Sequence, residues 1–578
     1  MLYCAKLCRF WYVYVKYKGA SVLNENINSQ KNVLTQATFL MAAGIITRII
    51  GVLYRSPVTQ IIGDEGNGYY SMAVNIYTMV LLISSYSIPM AVSKVVSAKI
   101  ALKQYKDAHK VFSCALIYVF IVGAIASLIT FFGAGVLMPD SQSKAIPVLR
   151  ILAPTIFFSG FLGVLRGYFQ AHGTMVPTSV SQIIEQIANA IISIGAAILF
   201  IRLFAGGDPD KVPVFGAMGS AAGIGAGVVT GLLFMTFLYT VNRSYFNKRV
   251  ATDVSGADSS YQQIFKIIFF MVTPVILSTF VYNVSTIIDQ TLFVDVMDYK
   301  GMASDAAASL YGVFSGKYYV LINVPVALAN SMSTAMIPAI SSTHALKDYD
   351  SCNSHVREAI HFTMMISIPA AVGMAVLARP IMEVLFPQRA TIDLAVSILQ
   401  VGCISVVFYG LSTITNGVLQ GIGRVNAPLK NASKALLIQV ILLAGLLYFT
   451  NLQLYAMVFA TMAYAFLMCL FNNLSVRKYL GYHQEFKRTF VIPAIASIIM
   501  GILTYIFYSG IESILLSLLK ELLPIRVIIL FCLLVTVIFA VAVYFVLELK
   551  LKGVSEENLI NFPKGRSLVR VAKKFHLL

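Results

Sequence analysis

Among the ionisable side chains that stand inside long apolar runs, where they are least expected, are Arg48 and Arg55 in 33–62, Glu185 in 178–203, Asp289 in 265–294 and Lys317 in 308–338. A charge at the centre of a bilayer costs roughly 2.5–3.5 kcal/mol on insertion scales, so such groups should turn toward a polar cavity or toward one another. Arg48 and Arg55 are seven residues apart. On a helix that spacing is two turns less about 20°, so both project from one face. A guanidinium fork matches the oxygens of a diphosphate, which makes the pair a candidate surface for an anionic, diphosphate-linked substrate. Lys317, in Gly312-Val-Phe-Ser-Gly-Lys317-Tyr-Tyr, is the second-half candidate for the same cavity. In the alternative reading Arg55 and Lys317 extend to the membrane surface and Arg48 pairs with a buried acid.

Asp289, in Asn283-Val-Ser285-Thr286-Ile-Ile-Asp289, is a lone acid with Ser285 one turn before it. It is a candidate for coordinating Na⁺, for exchanging H⁺, or for pairing with Lys317 or Arg48. Gln182, Glu185 and Gln186 share a helical face, suited either to sugar hydroxyls or to hydrogen bonds with a neighbouring helix. Gly219, Gly223, Gly227 and Gly231 recur every four residues and read as a close helix–helix contact. Pro89, Pro274, Pro325 and Pro338 mark kinks or helix ends. There is no HExxH, P-loop or nucleophile elbow, so neither an enzyme nor an ATP-driven pump is indicated. The seven Cys are scattered without CxxC or zinc-ligand spacing, and no metal or other cofactor is expected.

The elements that must position these residues are membrane helices. Of 578 residues 58% are hydrophobic and 12% charged, against roughly 25% charged in soluble domains; the mean hydropathy is +0.80. Spans are expected near 33–62, 68–93, 111–136, 147–168, 178–203, 214–241, 265–294, 308–338, 358–386, 391–420, 432–450, 453–474, 489–510 and 525–549. The fold class is therefore all-α and integral to the membrane, with about 14 helices. The net charge of +18 lies in short runs between apolar segments, as topology rather than nucleic-acid binding requires. A cytoplasmic N-terminus places most of the Lys and Arg residues inside, including Lys94 to Lys110, Arg243 to Arg249 and the tail from Lys550, and leaves Asp64-Glu65 in an outer loop.

The two halves repeat weakly. Ala101-Leu-Lys-Gln-Tyr-Lys recurs as Ala345-Leu-Lys-Asp-Tyr-Asp, and Gln170-Ala-His-Gly173 as Gln420-Gly-Ile-Gly423. Both pairs follow an even-numbered span, so the repeat is six helices in one orientation, with a pseudo-two-fold axis along the membrane normal. This divides the chain into a cytoplasmic lead-in (1–32), an N-lobe (33–250), a C-lobe (251–480), a final helix pair (481–550) and a basic tail (551–578).

Several motifs carry a family resemblance: Ile46-Thr-Arg48-Ile-Ile-Gly51, Ile62-Gly-Asp-Glu-Gly66 with Gly68-Tyr-Tyr70, Ile88-Pro-Met-Ala-Val-Ser-Lys94, Val164-Leu-Arg166-Gly-Tyr-Phe-Gln170 with Pro177 and Gln182-Ile-Ile-Glu185-Gln186, and Gln420-Gly-Ile-Gly423 with Pro428. Over roughly 33 to 550 the chain resembles the multidrug/oligosaccharidyl-lipid/polysaccharide exporter superfamily, in its SpoVB and MurJ-like branch of polysaccharide biosynthesis proteins. The resemblance implies two V-shaped lobes around a cationic cavity that moves lipid II or a related undecaprenyl-diphosphate oligosaccharide outward across a bacterial cytoplasmic membrane. It implies a cavity role for Arg48 and, more weakly, Na⁺ coupling at Asp289. Arg55 stands one residue beyond its counterpart in some relatives, and Lys317 about a turn from the eighth-helix arginine. The substrate partner would be the lipid-linked glycan amid membrane lipids; the sequence does not identify the oligomeric state, and a monomer is compatible with it. A cation-coupled multidrug exporter and a non-transporting scaffold for wall synthesis are the alternatives.

Overall fold

The computed structural model describes residues 29–86, 88–253 and 259–554, with Arg570 and Lys573 of the tail. Most of the expected lead-in and basic tail therefore lies outside the described residues. Among the described residues the chain is helical and contains no strand. Eleven helices are long and apolar enough to cross a membrane, or 12 if the pair Ile392–Gly402 and Ser405–Gly421, bent by 47°, is one span. That is short of the fourteen read from the sequence, and part of the difference is a single 60-residue segment, Ala42–Ala101, long enough to cross twice.

That segment begins with α1 (Ser29–Leu81), which the backbone breaks at Gly63, where φ is 72° and ψ 179°. Only glycine takes this conformation without strain, so one residue turns the chain back where the sequence suggested a loop. A π-helical turn (Leu82–Tyr86) then leads into α2 (Ile88–Ala101). The first half continues with α3 (Tyr105–Phe132), α4 (Ile146–Ala171), α5 (Val176–Phe200) and α6 (Val212–Ala251). In the second half α7 (Tyr261–Tyr299) is followed by α8 (Ser304–Val313), a π-turn (Phe314–Tyr318) and α9 (Tyr319–Ala345). Then come α10 (Tyr349–Val376), α11 (Ala378–Leu385), α12 (Ile392–Gly402), α13 (Ser405–Gly421), α14 (Asn426–Phe449) and α15 (Leu454–Leu480). A last pair, α16 (Ile492–Leu519) and α17 (Ile525–Lys550), completes the described bundle.

The repeat seen in the sequence is reproduced in backbone detail. Lys103 and Lys347 both adopt positive φ, 60° and 58°, and the following amide reaches back five residues in each case, Gln104 to Lys99 and Asp348 to Thr343. Gly173 and Gly423 have φ of 78° and 77°, and Thr174 and Arg424 bond back to Phe169 and Leu419. Equivalent helices thus end in the same left-handed turn.

Lipid tails are as apolar as leucine, so the helices associate through close packing and polar contacts rather than through exclusion of water. The four-residue glycine ladder of α6 does this against α5. A Cβ at Gly219 would meet the Ala196 carbonyl, one at Gly223 the side chain of Ser193, and one at Gly227 the Glu185 carbonyl at 2.7 Å. At one end of the bundle, Lys99 pairs with buried Asp107 at 2.8 Å, and Asp107 also accepts from the amide of Ser259. This is the lysine-rich end. Asp64 and Gly63 mark the opposite end.

Candidate functional site

The inward faces of both halves enclose a cavity of about 630 Å³. From α1 it receives Arg48, Gly51, Tyr54 and Arg55; from α5, Gln186; from α7, Ser285, Thr286 and Asp289; and from α14 and α15, Gln439, Thr461 and Tyr464. Arg48 and Arg55 enter together because their spacing keeps them on one face of α1. The Arg55 guanidinium lies over the ring of Tyr70, 5.3 Å from its centroid, an arrangement that orients the cation while its charge stays unneutralised. Among the described residues neither arginine makes an ion pair. Asp289 is buried, and its carboxylate accepts a 2.5 Å hydrogen bond from the Gln439 side-chain amide. The cavity thus holds two unpaired cations, and its acid is engaged by a neutral donor.

Toward the Asp64 end the cavity is closed in two layers. In the inner layer Asn75 donates to the Gln290 and Tyr311 side-chain oxygens, each at 2.8 Å, and Gln290 donates to Gln142 at 2.7 Å. This uncharged network joins the halves and floors the cavity. In the outer layer Lys317 donates to Asp64 at 2.9 Å and to Thr391 at 2.8 Å, and the Thr391 hydroxyl donates to Asp64 as well. Gln388 adds a 2.6 Å bond to the Thr59 carbonyl. Nearby, Lys144 pairs with Asp305 at 2.6 Å, and Tyr69 donates to the same carboxylate at 2.8 Å. Glycines permit this closeness: a Cβ at Gly68 would collide with the Ala308 carbonyl, and one at Gly312 with the Asp64 carbonyl.

The structure redistributes the residues singled out from the sequence. Arg48, Arg55 and Asp289 line one cavity. Lys317 does not join them: it is fully buried, in the pair with Asp64. The π-turn Phe314–Tyr318 accounts for this, because its extra residue per turn shifts the register of the helix and directs Lys317 at α1. Nor does Asp289 pair with Lys317 or Arg48, since Gln439 occupies its carboxylate. Glu185 is bound within the first half by Arg166 at 2.6 Å, and Arg166 also donates to Ser181 at 2.8 Å. Gln182 is not among the residues facing the cavity, whereas Gln186, one turn on, is.

Sequence reasoning did not single out Asn75, Gln290, Tyr311 or Gln439, because an uncharged amide or phenol finds a hydrogen-bond partner on almost any neighbouring helix and so does not mark a site as a charge does. It read Asp64 as a loop acid. The Gly63 break that follows the first span and the unexplained lysine in the eighth were the available hints that the two might meet.

Residues 33–344 match the family described as polysaccharide biosynthesis protein, and residues 274–445 match the MatE family. The Lipid II flippase MurJ of Bacillus subtilis (strain 168) is 24% identical over 483 residues, covering 81% of this chain and 87% of the relative. Stage V sporulation protein B of the same organism is 25% identical over 362 residues, 62% of this chain and 67% of the relative. Among solved structures, Lipid II flippase MurJ in an inward closed conformation superposes with a TM-score of 0.63 at 15% identity, over 88% of this chain and 97% of the other. An inward-facing multidrug resistance MATE family transporter of the MOP superfamily gives 0.60 at 16% identity, over 77% and 98%. These likenesses at low identity establish the shared fold: a multi-span membrane protein with helical lobes around a central cavity.

Proposed function

Because the chain belongs to the polysaccharide biosynthesis protein family, and with it to the transporters of the MOP superfamily, we propose that it is a flippase for a lipid-linked oligosaccharide joined through a diphosphate, of the lipid II type. The observation that carries this reading is the pair of cavity arginines, Arg48 and Arg55, without a carboxylate partner among the described residues. Arg48 is exposed to the open cavity and Arg55 half-buried, so both guanidinium groups are accessible to an entering anion and neither has to give up a protein carboxylate to bind it. A diphosphate is such an anion, with oxygens spaced for the guanidinium fork. Alternating access follows from the closed Asp64 end: the sugar and diphosphate enter the cavity from the lysine-rich side, the inter-lobe bonds at the Asp64 end break, and the lobes rock to release the headgroup there. The positive-inside rule makes the lysine-rich end cytoplasmic, with both termini on that side of a bacterial plasma membrane and transport running outward. Asp289, in the lining of the same cavity and held by Gln439, is the candidate for Na⁺ or H⁺ coupling.

The MatE match across residues 274–445 favours a second reading, a cation-coupled multidrug exporter. Such a cavity would present net negative charge to cationic drugs, whereas this one holds two arginines against one aspartate. The test is complementation of a strain depleted of its essential lipid II flippase, with surface expression controlled. Rescue by the native chain and failure of Arg48→Ala are the expected results. A well-expressed native chain that does not rescue, but lowers accumulation of cationic dyes, would replace the flippase reading with the exporter.

A further inference from the structure

The final helix pair lies outside the six-helix repeat, yet one of its residues reaches both lobes. Arg526, in the first turn of α17, donates through Nε to the Val384 carbonyl at 2.8 Å, and through its two terminal nitrogens to Gln60 Oε1 and Ser56 Oγ, each at 3.2 Å. Val384 belongs to α11 of the second half; Ser56 and Gln60 belong to α1 of the first. Ser56 in turn donates to the Leu385 carbonyl, and Gln60 to the Ser56 carbonyl at 3.2 Å.

Three features set this residue apart. A cation in the first turn of a helix opposes the helix dipole, so its position is unfavourable for α17 itself and is offset only by acceptors on other elements. The guanidinium has donors on three nitrogens in a rigid plane and here uses all three, toward three different residues. Among the described residues the apolar cluster that seats the pair at this end belongs to the second half: Tyr508, Ile528 and Cys532 pack with Leu377. The pair therefore travels with the C-lobe through packing and grips the N-lobe through hydrogen bonds that can break and reform.

We infer that Arg526 is a positioning residue for transport, through which the final helix pair holds the two lobes together at the Asp64 end. The inference rests on the alternating-access reading above. When the lobes part, its bonds to Ser56 and Gln60 are lost while the bond to Val384 persists, so the helix pair biases the resting state toward closure at that end.

The test uses the full chain, native cysteines replaced by serine, reconstituted in vesicles of Escherichia coli polar lipid. Spin labels are placed at Lys211 and Arg389, exposed on the two lobes at the Asp64 end, and in a second sample at Leu102 and Leu346, the repeat-related exposed positions at the lysine-rich end. Loss of two charge-assisted bonds in Arg526→Gln should shift the closed-to-open ratio by about tenfold. Distances should lengthen at the Asp64 end and shorten at the lysine-rich end. A merely structural arginine would lower thermal stability without this reciprocal change. Unchanged distributions at both ends overturn the inference. Where Arg526→Gln accumulates poorly, Gln60→Leu removes an N-lobe acceptor while leaving the direct Ser56–Leu385 bond between the lobes in place, and must give a reciprocal shift of the same sign. Because the distances are read without substrate, they stand whether or not the chain rescues a flippase-depleted strain.

Discussion

Breaking the Asp64–Lys317 pair should open the Asp64 end far more than its single ion pair suggests. Lys317 has 0% and Asp64 7% side-chain exposure, and the ammonium lies 2.8 Å from one carboxylate oxygen and 2.9 Å from the other. Water therefore screens the pair little in the closed state. Removing one member of such a pair strands the other and costs ~3–5 kcal/mol, or roughly two to four decades in an equilibrium constant. The cost falls on the closed state, because separation of the lobes hydrates the survivor. Asp64→Leu and Lys317→Met should each drive the closed population down, whereas the Asp64→Leu, Lys317→Met double variant, which leaves no stranded charge, should regain most of it. The assay is the label distance between positions 211 and 389 in lipid vesicles, read for the native chain, both single variants and the double variant. Non-additivity of at least ~2 kcal/mol is expected. Additive effects, or single variants with native distances, would refute the idea that this pair holds the closed end.

Three further outcomes follow from the same geometry. Arg48→Ala and Arg55→Ala should each weaken binding of an undecaprenyl-diphosphate ligand by about 10- to 100-fold, the worth of a charge-assisted contact, with Arg48→Lys intermediate; fluorescence titration of purified protein measures this. Gly68→Ala places a Cβ against the Ala308 carbonyl and should destabilise the closed state by about 1–3 kcal/mol, seen as a lower apparent Tm by fluorescence-detected size exclusion. Arg166→Ala should lower the yield of folded protein by stranding Glu185, and Arg166→Ala with Glu185→Gln should restore it; rescue activity per folded molecule should stay near native, since this pair is absent from the cavity lining.

What the sequence determined by itself was whatever depends on local periodicity and on the cost of transfer into lipid. Apolar run lengths marked the helices, the four-residue glycine spacing on α6 marked a packing seam, and the i, i+7 spacing of Arg48 and Arg55 placed both on one face. The weak repeats at residues 101–106 and 345–350 anticipated matching left-handed turns at Lys103 and Lys347, because a short local motif sets its own backbone bonds. Tertiary structure decided the partners. An intramembrane charge announces that it must be compensated, but not by what: Glu185 went to Arg166, Asp289 to Gln439, and Lys317 to Asp64, 253 residues away in the chain. In the last case the π-turn before α9 shifted the helical register by its extra residue, and a side chain rotated off the cavity face became a bond between lobes. Arg526 was equally silent in the sequence, an ordinary interfacial cation until folding brought three acceptors from two lobes within reach of one guanidinium.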